Sequence, residues 1–144
     1  MLLAAAPLEG CALLLGRRHG TDLELRRIWP CCNRWLPAEQ RRQRFLLDPR
    51  EQLQAQRWGR QRDLLVLGAA HSHPTGPAVP SATDRQLCLG PTLMLIRSGL
   101  TTGGASGGAG ALEPWRAWWL PDAADQPARE LPLRLAEGAG HLGE

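Results

Sequence analysis

The chain has 144 residues, 43% hydrophobic and 22% charged, which suits one packed domain and little more. No apolar run approaches the ~18–20 residues of a membrane span, so no membrane partner is expected. All 17 basic residues are arginine, and ten of them lie between residues 26 and 62 against only Glu39, Asp48 and Glu51. No aromatic-rich nucleic-acid motif accompanies that stretch, so it is read as a solvated face without a nucleic-acid partner.

The apolar start lacks a positive n-region and carries Pro7 and Glu9, so it reads as structure and the chain as cytoplasmic. Residues 2–6 fit the last turn of a helix stopped by Pro7. Residues 11–15 (CALLL) and 23–29 (LELRRIW) are predicted strands, separated by a turn over 16–21. Residues 33–40 read as a loop. A helix should follow, with Asp48 as N-cap, Pro49 at N1 and Glu51 returning a hydrogen bond to the cap, running to about Gln61. The short apolar run 64–67 suits a buried central strand, leading straight into His71-Ser72-His73-Pro74.

Ser81 and Asp84 are spaced as the capping box of a short helix. Residues 92–97 (TLMLIR) and 115–120 (WRAWWL) are two further predicted strands. Between them residues 99–110 form a Gly-rich stretch without the Lys-Ser/Thr ending of a phosphate loop, read as a flexible connector. Residues 122–144 form an acidic, Pro- and Gly-rich tail, expected to be partly mobile and distinct from a domain over 1–121. The four cysteines, Cys11, Cys31, Cys32 and Cys88, form no C-x-x-C and are read as reduced thiols. The expected fold class is α/β: a single domain with a central mixed sheet and at least two helices.

The chemistry is concentrated in residues 71–84, HSHPTGPAVPSATD. Histidines at i and i+2 of an extended segment project the same way, so both imidazoles can reach one ion. Asp84 adds an oxygen ligand from the next helical turn. Two imidazoles and one carboxylate leave a fourth tetrahedral position for water, the layout of a catalytic zinc site. Such a site needs a base for the water's proton and a donor for the oxyanion. Ser81 is a natural donor, and Glu9, just before an apolar strand, is the candidate base. Glu24, Glu39 and Glu51 compete for that role, although Glu24 sits in a strand-like alternation and Glu51 is explained as a cap. His19 and His141 read as solvated surface. A lone H-x-H is common, whereas H-x-H-P-x6-S-x2-D arises by chance on the order of once in a hundred thousand such chains.

This segment resembles the signature of the JAMM, or MPN-domain, zinc metallopeptidases. Pro7-Leu8-Glu9-Gly10-Cys11 resembles that family's Glu-bearing first strand, and Asn33, Arg44-Phe45 and Asp48-Pro49 resemble the segment before its second helix. The likeness spans roughly residues 7–120. It departs in having only about six residues before Pro7, where the family has a full helix, and Cys11-Ala12 where it commonly has Cys-Gly. The resemblance implies a curved sheet flanked by helices, related to the cytidine-deaminase fold. It implies zinc on His71, His73 and Asp84, Glu9 as general base, and Ser81 stabilising the tetrahedral intermediate. It also implies cleavage of a peptide or isopeptide bond after the Gly-Gly tail of a ubiquitin-like or sulfur-carrier protein, whose body the Arg-rich region 41–62 could contact. The other reading is a catalytically silent scaffold that keeps the fold for protein association.

Overall fold

Six consecutive residues, Cys11 to Gly16, are buried, so their strand has neighbours on both faces and both edges. The computed structural model describes residues 5–86, 90–100, 114–122 and 125–136. β1 (Cys11–His19) turns at Gly20 and Thr21 into β2 (Asp22–Cys31), an antiparallel hairpin. The turn is shorter than the expected 16–21, because residues 16–19 continue β1. Gly16 is not a turn residue: it sits at a register shift where a Cβ would lie 2.0 Å from the carbonyl oxygen of Glu24. The turn itself uses Gly20, at φ 61°.

The segment read as a loop over 33–40 is less plain than expected, since Ala38–Arg42 winds into a 3-10 helix. α1 (Pro49–Arg60) starts as read, with the Asp48 side chain accepting from the Arg50 N–H at 2.9 Å. Glu51 differs. Its carboxylate accepts the N–H of Cys32 at 3.0 Å, tying the helix to the end of β2 instead of returning to its own cap. Ala55 packs with Leu13, Leu15 and Leu64, while Trp29, Cys31, Leu47 and Trp58 fill the margins.

β3 (Leu65–His73) lies between β1, antiparallel, and β4 (Thr92–Ser98), parallel. The connection from β3 to β4 contains α2 (Ala82–Gln86). β5 (Trp115–Leu120) and β6 (Arg129–Leu131) add antiparallel strands, giving one mixed sheet in the order β2-β1-β3-β4-β5-β6. β6 falls within the stretch read as a tail. The α/β class read from the sequence is the observed one. Two apolar layers clothe the sheet. Ala12, Leu14, Leu67, Ala70, Leu93, Leu95 and Ala117 form the layer facing away from α1. Beyond the α1 layer, Met94, Ile96 and Leu120 pack with Ala78 of the β3–α2 connection. Residues 2–4 of the expected helical turn at 2–6, and residues 101–110 of the connector read over 99–110, lie outside the described residues.

Leu14 is fully buried at the centre of the layer facing away from α1. Truncating it removes both transferred surface and packing, so Leu14→Ala is expected to lower stability by about 2–5 kcal/mol. Urea unfolding checks this, and a change below about 1 kcal/mol would show that this face is not packed as described.

Candidate metal centre

The alternation of β3 decides which side chains meet. His71 stands opposite Cys11 of β1 and Ile96 of β4, and His73 opposite Ser98, so both rings share the face that carries Leu13 and α1. Ser72, between them, points to the other face. The connection after β3 then returns Asp84 over the two rings. Nε2 of His71 and Nε2 of His73 lie 2.9 Å apart, and Oδ2 of Asp84 lies 3.2 Å from the first and 3.3 Å from the second. The three predicted ligands are thus brought together as one group able to hold a metal ion.

The donor set fits a cation. Nδ1 of His73 is 2.7 Å from the carbonyl oxygen of Pro77, which can only accept, so in the neutral ring Nδ1 carries the proton and Nε2 offers a lone pair. A lone pair facing a carboxylate at 3.3 Å is repulsive unless positive charge lies between them. A tetrahedral zinc ion roughly 2.0–2.2 Å from its ligands spaces them about 3.3–3.6 Å apart, within a few tenths of the triangle seen here.

Titration behaviour agrees. Burial opposes ionisation of Asp84, yet the facing His71 and His73 rings and the Ser81 N–H hold its carboxyl far below the usual range. Burial also works against a charged His73, but Asp84 and the Pro77 carbonyl carry its pKa above 6.5. His71, wholly buried, is pushed below 6.5 despite Asp84.

Glu9 joins the group from the segment entering β1. It is 3% exposed, and its Oε1 lies 4.0 Å from Nε2 of His73. Its other oxygen, Oε2, is buried with no partner among the described residues. Burial raises its pKa from 4.5 to about 8, with His73 pulling it down and Asp84 pushing it up. Ser81 caps α2 reciprocally: its N–H donates to Oδ2 of Asp84 at 2.8 Å, and its hydroxyl oxygen accepts the Asp84 N–H at 3.0 Å. The hydroxyl keeps its proton to donate.

The competing groups stand elsewhere. Glu24 pairs with His19 at 2.8 Å and with Arg26 at 2.9 Å, Glu51 holds Cys32, and Glu39 lies on the 3-10 helix. His141 and Cys88 lie outside the described residues. Cys11, Cys31 and Cys32 are free thiols, and burial pushes Cys11 and Cys31 up to about 12.

Sequence reasoning assigned no site role to three further residues. The ring of Phe45 stacks on His71, centroids 4.5 Å apart and 24° from parallel. Ser72 accepts the N–H of Gly10 at 2.9 Å. Gly99 approaches so closely behind His73 that a Cβ would lie 2.0 Å from the Pro74 carbonyl oxygen. Ser72 carried a signal as a small polar residue inside an otherwise apolar strand, and Phe45 one through the resemblance of Arg44-Phe45, without a role.

Residues 1–121 match the family described as prokaryotic homologs of the JAB domain, and the chain belongs to that family. It is similar to the solution structure of protein DSY2949 from Desulfitobacterium hafniense, at 32% identity and a TM-score of 0.73, covering 94% of this chain and 84% of that one. It is also similar to the solution structure of a protein from Salinibacter ruber, at 26% identity and a TM-score of 0.62, covering 99% and 88%. No curated protein matches.

Purified protein is expected to hold about one divalent metal ion per chain. His71→Ala and Asp84→Asn should each lose it, with elemental analysis as the readout; metal retained by both variants would place the ion elsewhere. A second expectation concerns pH. Between pH 4.5 and about 8 the unfolded chain has released the Glu9 proton while the folded chain keeps it, so stability falls as pH rises through that window. In chelated protein the stability of the wild type, measured against Glu9→Gln by urea unfolding, should therefore decline from pH 5 to pH 8. A flat difference would show that Glu9 is not desolvated.

Proposed function

We propose that the protein hydrolyses a peptide or isopeptide bond, with zinc held by His71, His73 and Asp84, after the Gly-Gly tail of a ubiquitin-like or sulfur-carrier protein. The observation that carries this reading is the Glu9 carboxylate buried 4.0 Å from the ligand His73, a base beside a group of only three protein ligands. A structural metal site has no use for such a group.

Zinc, when bound, polarises the scissile carbonyl and lowers the pKa of a water to about 7. Glu9 takes a proton from the attacking water through Oε1 or the partnerless Oε2 and hands it to the leaving nitrogen as the C–N bond breaks. The second proton of that water, lost as the acid ionises, completes the charge on the nitrogen, so one carboxylate and one ammonium result. Asp84, fixed by the Ser81 N–H, keeps its ligand oxygen in place, while the Ser81 hydroxyl donates to the oxyanion.

Accessibility supports the choice of substrate. His71 is completely buried, Asp84 is 4% exposed and Glu9 is 3% exposed. A site so closed admits an extended chain without side chains at the reacting bond, which is what two glycines supply.

Substituting Glu9→Gln should leave fold and metal content intact while lowering turnover of a carrier–Gly-Gly conjugate by about 10²–10⁴-fold. Release of the carrier, followed by mass spectrometry, is the readout. A wild type that binds metal and such carriers but never cleaves them would instead favour the silent scaffold.

A further inference from the structure

Glu9 and Gly10 have every backbone polar group engaged from two directions. The Glu9 N–H donates to the Arg41 carbonyl at 2.7 Å, and its carbonyl accepts from Nδ2 of Asn33 at 3.1 Å. The Gly10 N–H donates to the Ser72 hydroxyl at 2.9 Å, and its carbonyl accepts the Ser72 N–H at 3.0 Å. Ser72 belongs to the ligand strand. Asn33 belongs to a different segment, and its carboxamide is saturated. Its second Nδ2 hydrogen goes to the Arg44 carbonyl at 2.8 Å, while Oδ1 accepts the N–H of Trp35 and the N–H of Leu46, each at 3.1 Å. Arg44 and Leu46 flank Phe45, whose ring lies on His71. One side chain therefore grips the main chain of the base and both neighbours of the residue stacked on a ligand.

From this we infer that Asn33 is a positioning residue: it fixes Glu9 and, through Phe45, the His71 ring relative to each other. The inference rests on the hydrolase reading for what Glu9 does, although the bonds themselves do not. Carboxamide is the chemistry required, because the same group must donate twice and accept twice. An aspartate at this position keeps the size and both accepted bonds, loses both donated ones, and faces two carbonyls with like-signed charge.

The experiment compares wild type, Asn33→Asp, Phe45→Leu and Leu25→Ala, the last half-buried in the layer away from the site. Each is chelated, reloaded with Co2+, and followed by visible absorption, by kcat and by KM on a carrier–Gly-Gly conjugate. Asn33→Asp is expected to alter the Co2+ spectrum and to lower kcat by about 10²-fold with KM little changed, the cost of a misplacement near 1 Å. Phe45→Leu should alter the spectrum while leaving Glu9 held. Leu25→Ala should lose stability and change neither. Should Asn33→Asp not fold, Asn33→Ala is read in the same way. Spectra identical to wild type in both the Asn33 and Phe45 variants would overturn the proposal, whether or not a substrate is found. A wild type inactive on every conjugate would sink the hydrolase reading alone, with the Co2+ spectra still deciding the role of Asn33.

Discussion

β3 must satisfy a ladder on each side, antiparallel to β1 and parallel to β4, and the register it takes on both fixes the site. Because side chains alternate, a slip by one residue would move His71 and His73 to the far face and bring Ser72 to the ligand face. The register against β1 shifts between Leu14 and Leu15, where Gly68 and Val66 are the partners and Leu67 is the extra residue. That bulge lets Leu67 join the layer away from α1 while His71 faces the other way. Gly68 belongs to the same adjustment, since a Cβ there would sit 1.8 Å from the Leu93 carbonyl oxygen. Apolar packing below the bulge and the meeting of His71 with His73 above it are therefore set by one irregularity in the ladder.

A group of two imidazoles and two carboxylates buried together is costly unless positive charge offsets the acids. The response of each member follows from its place. Asp84 keeps its charge because two rings and the Ser81 N–H face it, whereas Glu9, with one oxygen partnerless, holds its proton up to about 8. A divalent cation held by the triangle would add the missing charge and favour ionised Glu9 beside it. Asp84 and Glu9 are thus tuned by one environment, and both lie against His73.

How much of this was legible follows the range of the interactions. The cap at Asp48, the reciprocal Ser81–Asp84 pair and the i, i+2 histidines are local patterns, and all three stand where the sequence placed them. Glu51 was misread because a cap position shows only that a carboxylate near a helix start has an N–H to accept, and the one it finds is 19 residues away on Cys32. Gly16 was taken for turn chemistry because close strand approach and a turn both call for glycine. Asn33 looked like a loop residue, its partners at positions 9, 44 and 46 being invisible without the fold. β6, three residues in an otherwise Pro- and Gly-rich stretch, is too short to carry an alternation.

The arginine-rich stretch, read from composition as a solvated face, also has inward duties. Trp58 on the last turns of α1 lies under Arg62 at 4.1 Å and Arg27 at 5.0 Å, and meets Trp29 edge-on at 5.7 Å. Arg62 donates to the Trp58 carbonyl, and Arg17 to the carbonyls of Arg62 and Asp63, so cations close the C-terminal end of the helix. Lysine could supply the charge but not the planar stack together with directed donors. At the other end of α1, Arg34 holds Asp48 at 3.2 Å, and Glu51 holds Cys32. The helix is thus anchored at its N-terminus beside β2's last residues and at its C-terminus beside β1, and the Glu9–Asn33–Phe45 network lies between its N-terminal anchor and the ligand strand. A change that loosens the far arginine stack leaves that network its own bonds, since none of them runs through Trp58.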